Sequence, residues 1–357
     1  MRRLWAAGAA IVVCLALGGL PVAGQESSEQ PSAASTTIGF TSFYTDLDFF
    51  GDIRRGAEEA ASTAGVELIA LNAYGDPTMQ ADQVESFIAD GVDAIIIAPV
   101  DPVAIVPSVE AANAAGIPVL AVDRTASGGM ITSLIASDNV AAARMAGEAL
   151  FRAMGGSGKV VEIQGDMAAS TGKDRSEGFQ QALEAAPGIT LAVQAPADFS
   201  YRLASQATRD ALEEDPDITG VFAANLDMLE GATQAVASAG MSDQVRVVGF
   251  DTSPTILTAI SDGSIDATVA QQPLLMGQQV VEAALAAVAG EPVEPFIPVE
   301  TILVTADNAD QFLTGEAVPA EAPTAASPVI VTGTEECGDR TGGTETYEGL
   351  APAGRAG

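Results

Sequence analysis

From Thr37 to about residue 289 the chain repeats one unit: a short apolar run, a turn, then a longer segment with apolar residues every three or four positions. The repeat is roughly 25–30 residues, the length of a strand followed by a helix. Ile38-Gly39-Phe40 opens the first strand, and a helix is expected over 49–64 with Ile53, Ala57, Ala60 and Ala61 on one face. Strands follow at 66–71 and 94–98. Between them Asp76-Pro77 supplies a helix cap and a first-turn proline, and Gly91 a terminator. Further strands are expected at 117–122, 130–135, 159–164, 189–194, 219–223, 245–250 and 266–270. Helices are expected at 102–115, 139–154, 172–185, 200–214, 227–239, 254–262 and 275–289. Wholly apolar strands alternating with helices specify parallel sheets covered on both faces, an α/β fold. Two sheets of about five or six strands suit this length better than one sheet of eleven.

The ends break the rhythm. Arg2-Arg3, an apolar run from Leu4 to Leu20 and small residues at Val22-Ala23-Gly24 form a signal-peptide pattern over 1–24. Cys14 lies deep in that run, away from where a lipid-attachment cysteine belongs, so a lipoprotein is disfavoured. Removal of the leader would leave Cys337 as the only cysteine, with no internal disulfide to form. An exported protein, periplasmic or extracellular, is expected. Residues 25–36 read as a polar linker. From about 312 the Pro-, Thr- and Gly-rich sequence reads as a low-complexity tail, interrupted by Val329-Ile330-Val331.

Charge narrows the partners. A formal net charge of −33 repels nucleic acid and anionic membrane surfaces. The chain has no His, so it lacks the usual proton shuttle and the commonest metal ligand. Neither GxxxxGK[ST] nor a GxGxxG after the first strand is present, and Gly155-Gly156-Ser157-Gly158 lies where a helix ends. No cofactor and no metal are expected.

Open parallel sheets bind ligands beyond the carboxyl ends of their strands. At such ends lie Asp123-Arg124 in AVDRTAS, Phe250-Asp251 in VVGFDTSP, Asn225, Gln271, Lys173 with Arg175, and the segment holding Asp46, Asp48, Phe49 and Phe50; Phe199 joins those taken for the site, which keeps Lys173 of the two cations. Asp accepts, Arg donates in a fixed fork, and Asn or Gln does both, while Phe rings cover C–H faces. Together the set describes a saccharide or polyol site. Each residue also has an ordinary structural role open to it. Asp123 and Arg124 can pair on a surface, Asn225 and Asp251 can cap helices, and Phe49, Phe50 and Phe250 can pack in a core. Lys173 can be solvated and Gln271 can be a plain loop residue.

These stretches, with IASDN (135–139), RSEGFQQAL (175–183), APADF (195–199), VFAANLDM (221–228) and ATVAQQP (267–273), resemble the periplasmic sugar-binding proteins of the ribose-binding type, the type I solute-binding proteins of ABC importers. The resemblance runs from 37 to about 305. It implies a two-lobed periplasmic-binding-protein-like fold, each lobe a parallel sheet flanked by helices, the lobes joined by three crossovers. The first lobe would take 37–137 plus 272–302, and the second 138–271 plus 303–311. It further implies that Phe49, Phe50, Asp123, Arg124, Lys173, Phe199, Asn225, Phe250, Asp251 and Gln271 line the ligand site. The chain departs from the family's pattern at three of the matched positions. Lys173 stands where ribose binders have Arg, and Leu47 and Ala98 stand where they have Asn. Those losses argue against ribose itself, with Asp46 or Asp48 supplying a replacement acceptor for another pentose, a hexose or a polyol.

The implied role is that of a monomer that captures a monosaccharide or polyol by lobe closure and hands it to ABC permease subunits in the membrane. The same binding event would serve a chemoreceptor or sensor. A carbohydrate-active enzyme using Asp123 and Asp251 is disfavoured because nearby cations should hold down the pKa that a general acid needs raised.

Overall fold

The computed structural model describes residues 36–43 and 48–314, without the side chain of Asp48. The leader, the linker to residue 35, Asp46, Leu47 and everything from 315 onward, Cys337 included, lie outside the described residues.

In chain order the first elements are β1 (Thr37–Ser42), α1 (Asp48–Ala64), β2 (Glu67–Asn72), α2 (Pro77–Asp90), β3 (Ala94–Ile97), α3 (Val106–Ala114), β4 (Val119–Val122) and β5 (Ser133–Ser137). Then come α4 (Asn139–Ala153), β6 (Gly158–Gln164), α5 (Ser170–Glu184), β7 (Ile189–Pro196), α6 (Tyr201–Glu214), β8 (Ile218–Ala223) and α7 (Leu226–Ser238). The last are β9 (Arg246–Phe250), α8 (Pro254–Ser261), β10 (Ala267–Ala270), α9 (Pro273–Val288), β11 (Phe296–Val299), β12 (Ile302–Val304) and α10 (Ala309–Thr314).

Two six-stranded sheets result, ordered β11-β5-β4-β3-β1-β2 and β12-β10-β9-β8-β6-β7. All pairings are parallel except β10 with β12. Both sheets share one topology, with the second strand at one edge and a late strand at the other. The chain passes between sheets three times, from β5 to α4, from β10 to α9 and from β11 to β12. Strands β11 and β12 were not expected from sequence. Each is short, each is an edge strand, and Pro298 within β11 weakens the usual strand signal.

Local chemistry explains the helix boundaries. Asp76 caps α2 by accepting from the backbone N–H groups of Thr78 and Met79, and Gly91 ends it in the left-handed region at φ 69°. The expected helix at 102–115 begins only at Val106. The carboxylate of Asp101 accepts from the N–H groups of Val103 and Ala104, holding that stretch as a turn. Gly155 and Gly156 close α4, as ordinary C-cap glycines do.

Apolar faces fill each sheet. Ile53, Ala57 and Ala61 of α1 pack with Met276, Val280 and Ala284 of α9 against Ile38, Phe40 and Ile96. The two helices cross backbone to backbone: a Cβ on Gly56 would strike the Leu274 carbonyl, and one on Gly277 the Ile53 carbonyl. In the second sheet Phe179, Phe222 and Phe250 form the centre of the core, Phe179 stacked on Phe222 at 4.4 Å.

Candidate functional site

The carboxyl ends of the two sheets carry the same device twice. Asp123 follows β4 with φ 66°, and its N–H donates to the Ile135 carbonyl at 2.9 Å. Asp251 follows β9 with φ 69°, and its N–H donates to the Val269 carbonyl at 2.8 Å. Left-handed backbone costs a non-glycine residue energy and persists only where the surroundings impose it. Here the turn lifts each aspartate off its strand end.

Around Asp123 the first group forms. The carboxylate is 4% exposed and accepts from Arg124 Nε at 3.2 Å. The Arg124 guanidinium lies 5.4 Å from the Phe43 ring centre, 5.7 Å from Phe50 and 5.9 Å from Phe199. Phe43 and Phe50 belong to the first sheet's side, and Phe199, after β7, to the second. Phe199 reaches in because Gly165 leaves room: a Cβ there would overlap its ring. Phe199 also has φ 58°. Phe49 meets Phe50 edge-on at 5.3 Å. A second link spans the sheets, from the Thr125 N–H to Ser170 Oγ at 3.3 Å.

Around Asp251 the second group forms. One oxygen accepts from Gln271 Nε2 at 2.6 Å, the other from the Leu226 N–H at 3.2 Å. Gln271 Oε1 accepts from Ser137 Oγ at 2.8 Å. Asn225 caps α7, its Oδ1 accepting from the Met228 N–H at 3.0 Å, which leaves its NH2 free of that task.

Between the groups sits Arg175, only 3% exposed. Its Nε donates to Asn139 Oδ1 at 2.8 Å and its Nη1 to the Ala224 carbonyl at 2.6 Å, and its guanidinium lies 4.3 Å from the Phe250 ring centre. Burial draws its pKa down, while Asp251 and Asp123 oppose that shift. Burial pushes the Asp123 carboxyl up, against the pull of Arg124 and Arg175. The expectation that neighbouring cations hold this pKa down is therefore overturned, because desolvation is the larger effect. A cavity of about 160 Å³ adjoins Asp123 on the crossover side, between Ser137, Asn139, Ser170 and Asp174.

Two sequence expectations need correction. Phe250 lines no cleft; it is fully buried, edge-on to Phe222 at 6.2 Å, and serves as the platform for Arg175. Lys173 is exposed on the first turn of α5, and the buried cation is Arg175 two residues on. Residues two apart on a helix face nearly opposite ways, so only one of the pair can point inward. Ala98 is buried after β3, and its carbonyl accepts from Gln80 Nε2 at 2.9 Å. Sequence placed both Lys173 and Arg175 at this strand end but put only Lys173 in the site, and it passed over Phe43, Asn139 and Ser137. Phe43 follows β1 directly, and the other two sit in a stretch already singled out by resemblance.

No group of three or more potential metal-ligating side chains occurs among the described residues. Nor is any described helix long and apolar enough to cross a membrane.

Facing strand ends on two like-ordered sheets, with an aspartate–arginine pair on one and an aspartate–glutamine pair on the other, define a two-lobed solute-binding architecture. Residues 38–292 match the periplasmic binding protein domain, and the chain belongs to that family. It is 37% identical over 271 residues to the ribose import binding protein of Escherichia coli, covering 76% of this chain and 91% of that one. It is 31% identical over 274 residues to the xylitol-binding protein of Mycolicibacterium smegmatis, covering 76% and 78%. Among solved structures, an ABC transporter solute-binding protein from Mycobacterium smegmatis with bound glycerol superposes with a TM-score of 0.73 at 35% identity, covering 81% of this chain and 100% of that one.

Proposed function

We propose that this protein captures a neutral monosaccharide or polyol between its lobes and delivers it to an ABC importer. One observation carries the reading: Arg124, at a strand end of the first sheet, lies against Phe43 and Phe50 from its own side and Phe199 from the other. Phe43, Phe49, Phe50 and Phe199 supply faces for C–H surfaces. Asp123, Arg124, Asp251, Asn225 and Gln271 supply the acceptors and donors that hydroxyls need. Closure brings the two halves to one ligand, and contacts made only in the closed state shift the hinge equilibrium toward it. Micromolar affinity requires about −8 kcal/mol. A few charge-assisted hydrogen bonds at roughly 1.5–3 kcal/mol each can supply that after ordering costs.

The lobes are taken as 37–137 plus 272–302 and 138–271 plus 303–311. The leader pattern at 1–24 would direct the chain out of the cytoplasm, and the mature protein is taken as a monomer without cofactor. The missing amides at Leu47 and Ala98, and the relatives that bind xylitol or carry glycerol, support a polyol or a sugar other than ribose.

Thermal shift with pentoses, hexoses, polyols and inositols on residues 25–357 tests this reading, with calorimetry on the hits. A true ligand at 100 times its dissociation constant should add about 2.7 kcal/mol of stability. Arg124→Ala should remove that gain. An unshifted midpoint across the whole panel would reject a simple sugar or polyol as the ligand.

A further inference from the structure

Two of the three crossovers are tied together side chain to side chain. Ser137 ends β5 at the first crossover, and its Oγ donates to Oε1 of Gln271 at the second, at 2.8 Å. Gln271 Nε2 donates in turn to Asp251 Oδ1 at 2.6 Å. The direction of this relay is dictated by chemistry. An ionised carboxylate only accepts, so the amide turns its NH2 toward Asp251 and leaves its carbonyl for a donor. Ser137 is that donor, and it is 3% exposed. The same crossover also holds the buried arginine: Asn139 Nδ2 donates to the Ser137 carbonyl at 3.1 Å, and Asn139 Oδ1 accepts from Arg175 Nε at 2.8 Å.

We propose that Ser137 is a positioning residue. By holding Gln271, which Asp251 fixes from its other end, it locks the first crossover to the second and so sets the hinge angle. The proposal rests on the lobe-closure reading and goes beyond it by naming the side chain that sets the hinge's resting position. Ser137 acts through Gln271. Its loss therefore scales every affinity by one common factor, through the population of the closed form. A lost ligand contact would instead reorder the affinities, because it bears differently on each ligand.

Ser137→Ala and Ser137→Thr in the full chain test this, with thermal midpoints recorded to confirm folding. Ligand-free small-angle scattering and hydrogen exchange at the two crossovers come first. The Ala variant should show a larger radius of gyration and about fivefold faster exchange there, the factor one ordinary hydrogen bond carries. The Thr variant keeps the hydroxyl and should restore both. Gln271→Met breaks the tie from its other end and should reproduce the opening if the Ala variant folds poorly. Titrations with D-ribose, xylitol and glycerol follow, and each probe that binds should weaken by the same factor with the order preserved. Native scattering and exchange in Ser137→Ala, failure of Thr to restore them, or a reordered affinity series would each overturn the proposal. If no probe binds the native chain, the sugar reading fails separately, and scattering and exchange still decide the role of Ser137.

Discussion

Asp123 and Arg175 carry opposite charges in the most buried part of the site, and burial works against both. The Asp123 carboxyl is held above its ordinary 3.8, so the folded chain keeps a proton there after the unfolded chain has released it. Stability from this group falls as pH rises from 3.8 through the folded value and is level beyond it. Asp123→Asn removes that slope. The difference in unfolding free energy between the two proteins should grow with pH in favour of Asn and then level off, while ligand binding is lost. Urea titrations over a pH series measure it, and a wild type that gains on the variant as pH rises would contradict the assignment. Arg175→Met is the reverse case. It leaves Asp123 and Asp251 without their shared buried cation and should cost about 3–5 kcal/mol. A denaturant midpoint equal to wild type would show that the guanidinium does not hold the two aspartates. Arg124→Ala, by contrast, removes a partly exposed side chain. Its main effect should be on ligand affinity, about 100-fold or more by calorimetry if two charge-assisted bonds are lost.

At the scale of elements, the crossing of α1 and α9 is set by two glycines whose missing side chains let the backbones touch. Gly277→Ala should lower stability by about 1–3 kcal/mol through overpacking, read as a lower thermal midpoint. Adding Gly56→Ala should cost less than the sum of the two singles, because either one already forces the same two helices apart. The regular elements were legible because their patterns are strong: buried strands such as AIII, and Asp76-Pro77 with Gly91 around α2. Asp123 and Asp251 were legible too, since parallel topology sends strand ends to one edge. Strands β11 and β12 were not, being too short to show a period. The choice between Lys173 and Arg175 was also hidden. It depends on the rotation of α5 about its axis, which the Asn139 and Ala224 contacts reveal and residue spacing does not. Phe250 misled because a residue beside a strand-end aspartate need not share its exposure.

For the whole molecule, two sheets of one topology present equivalent aspartates, and the proposed site draws on both. Ligand binding should therefore compact the molecule, reducing the radius of gyration by scattering when a true ligand is added; an unchanged value with a bound ligand would rule out closure. The crossovers have one more consequence, in time. The second sheet's strands β6 to β10 lie in one continuous stretch, but the first sheet's core needs Met276, Val280 and Ala284 from α9, and its edge needs β11. Whatever the pace of synthesis, the earliest residues made cannot finish packing until nearly the last of the folded region has emerged. A chain halted near residue 272 would hold out an uncovered apolar face, a ready target for chaperones and proteases.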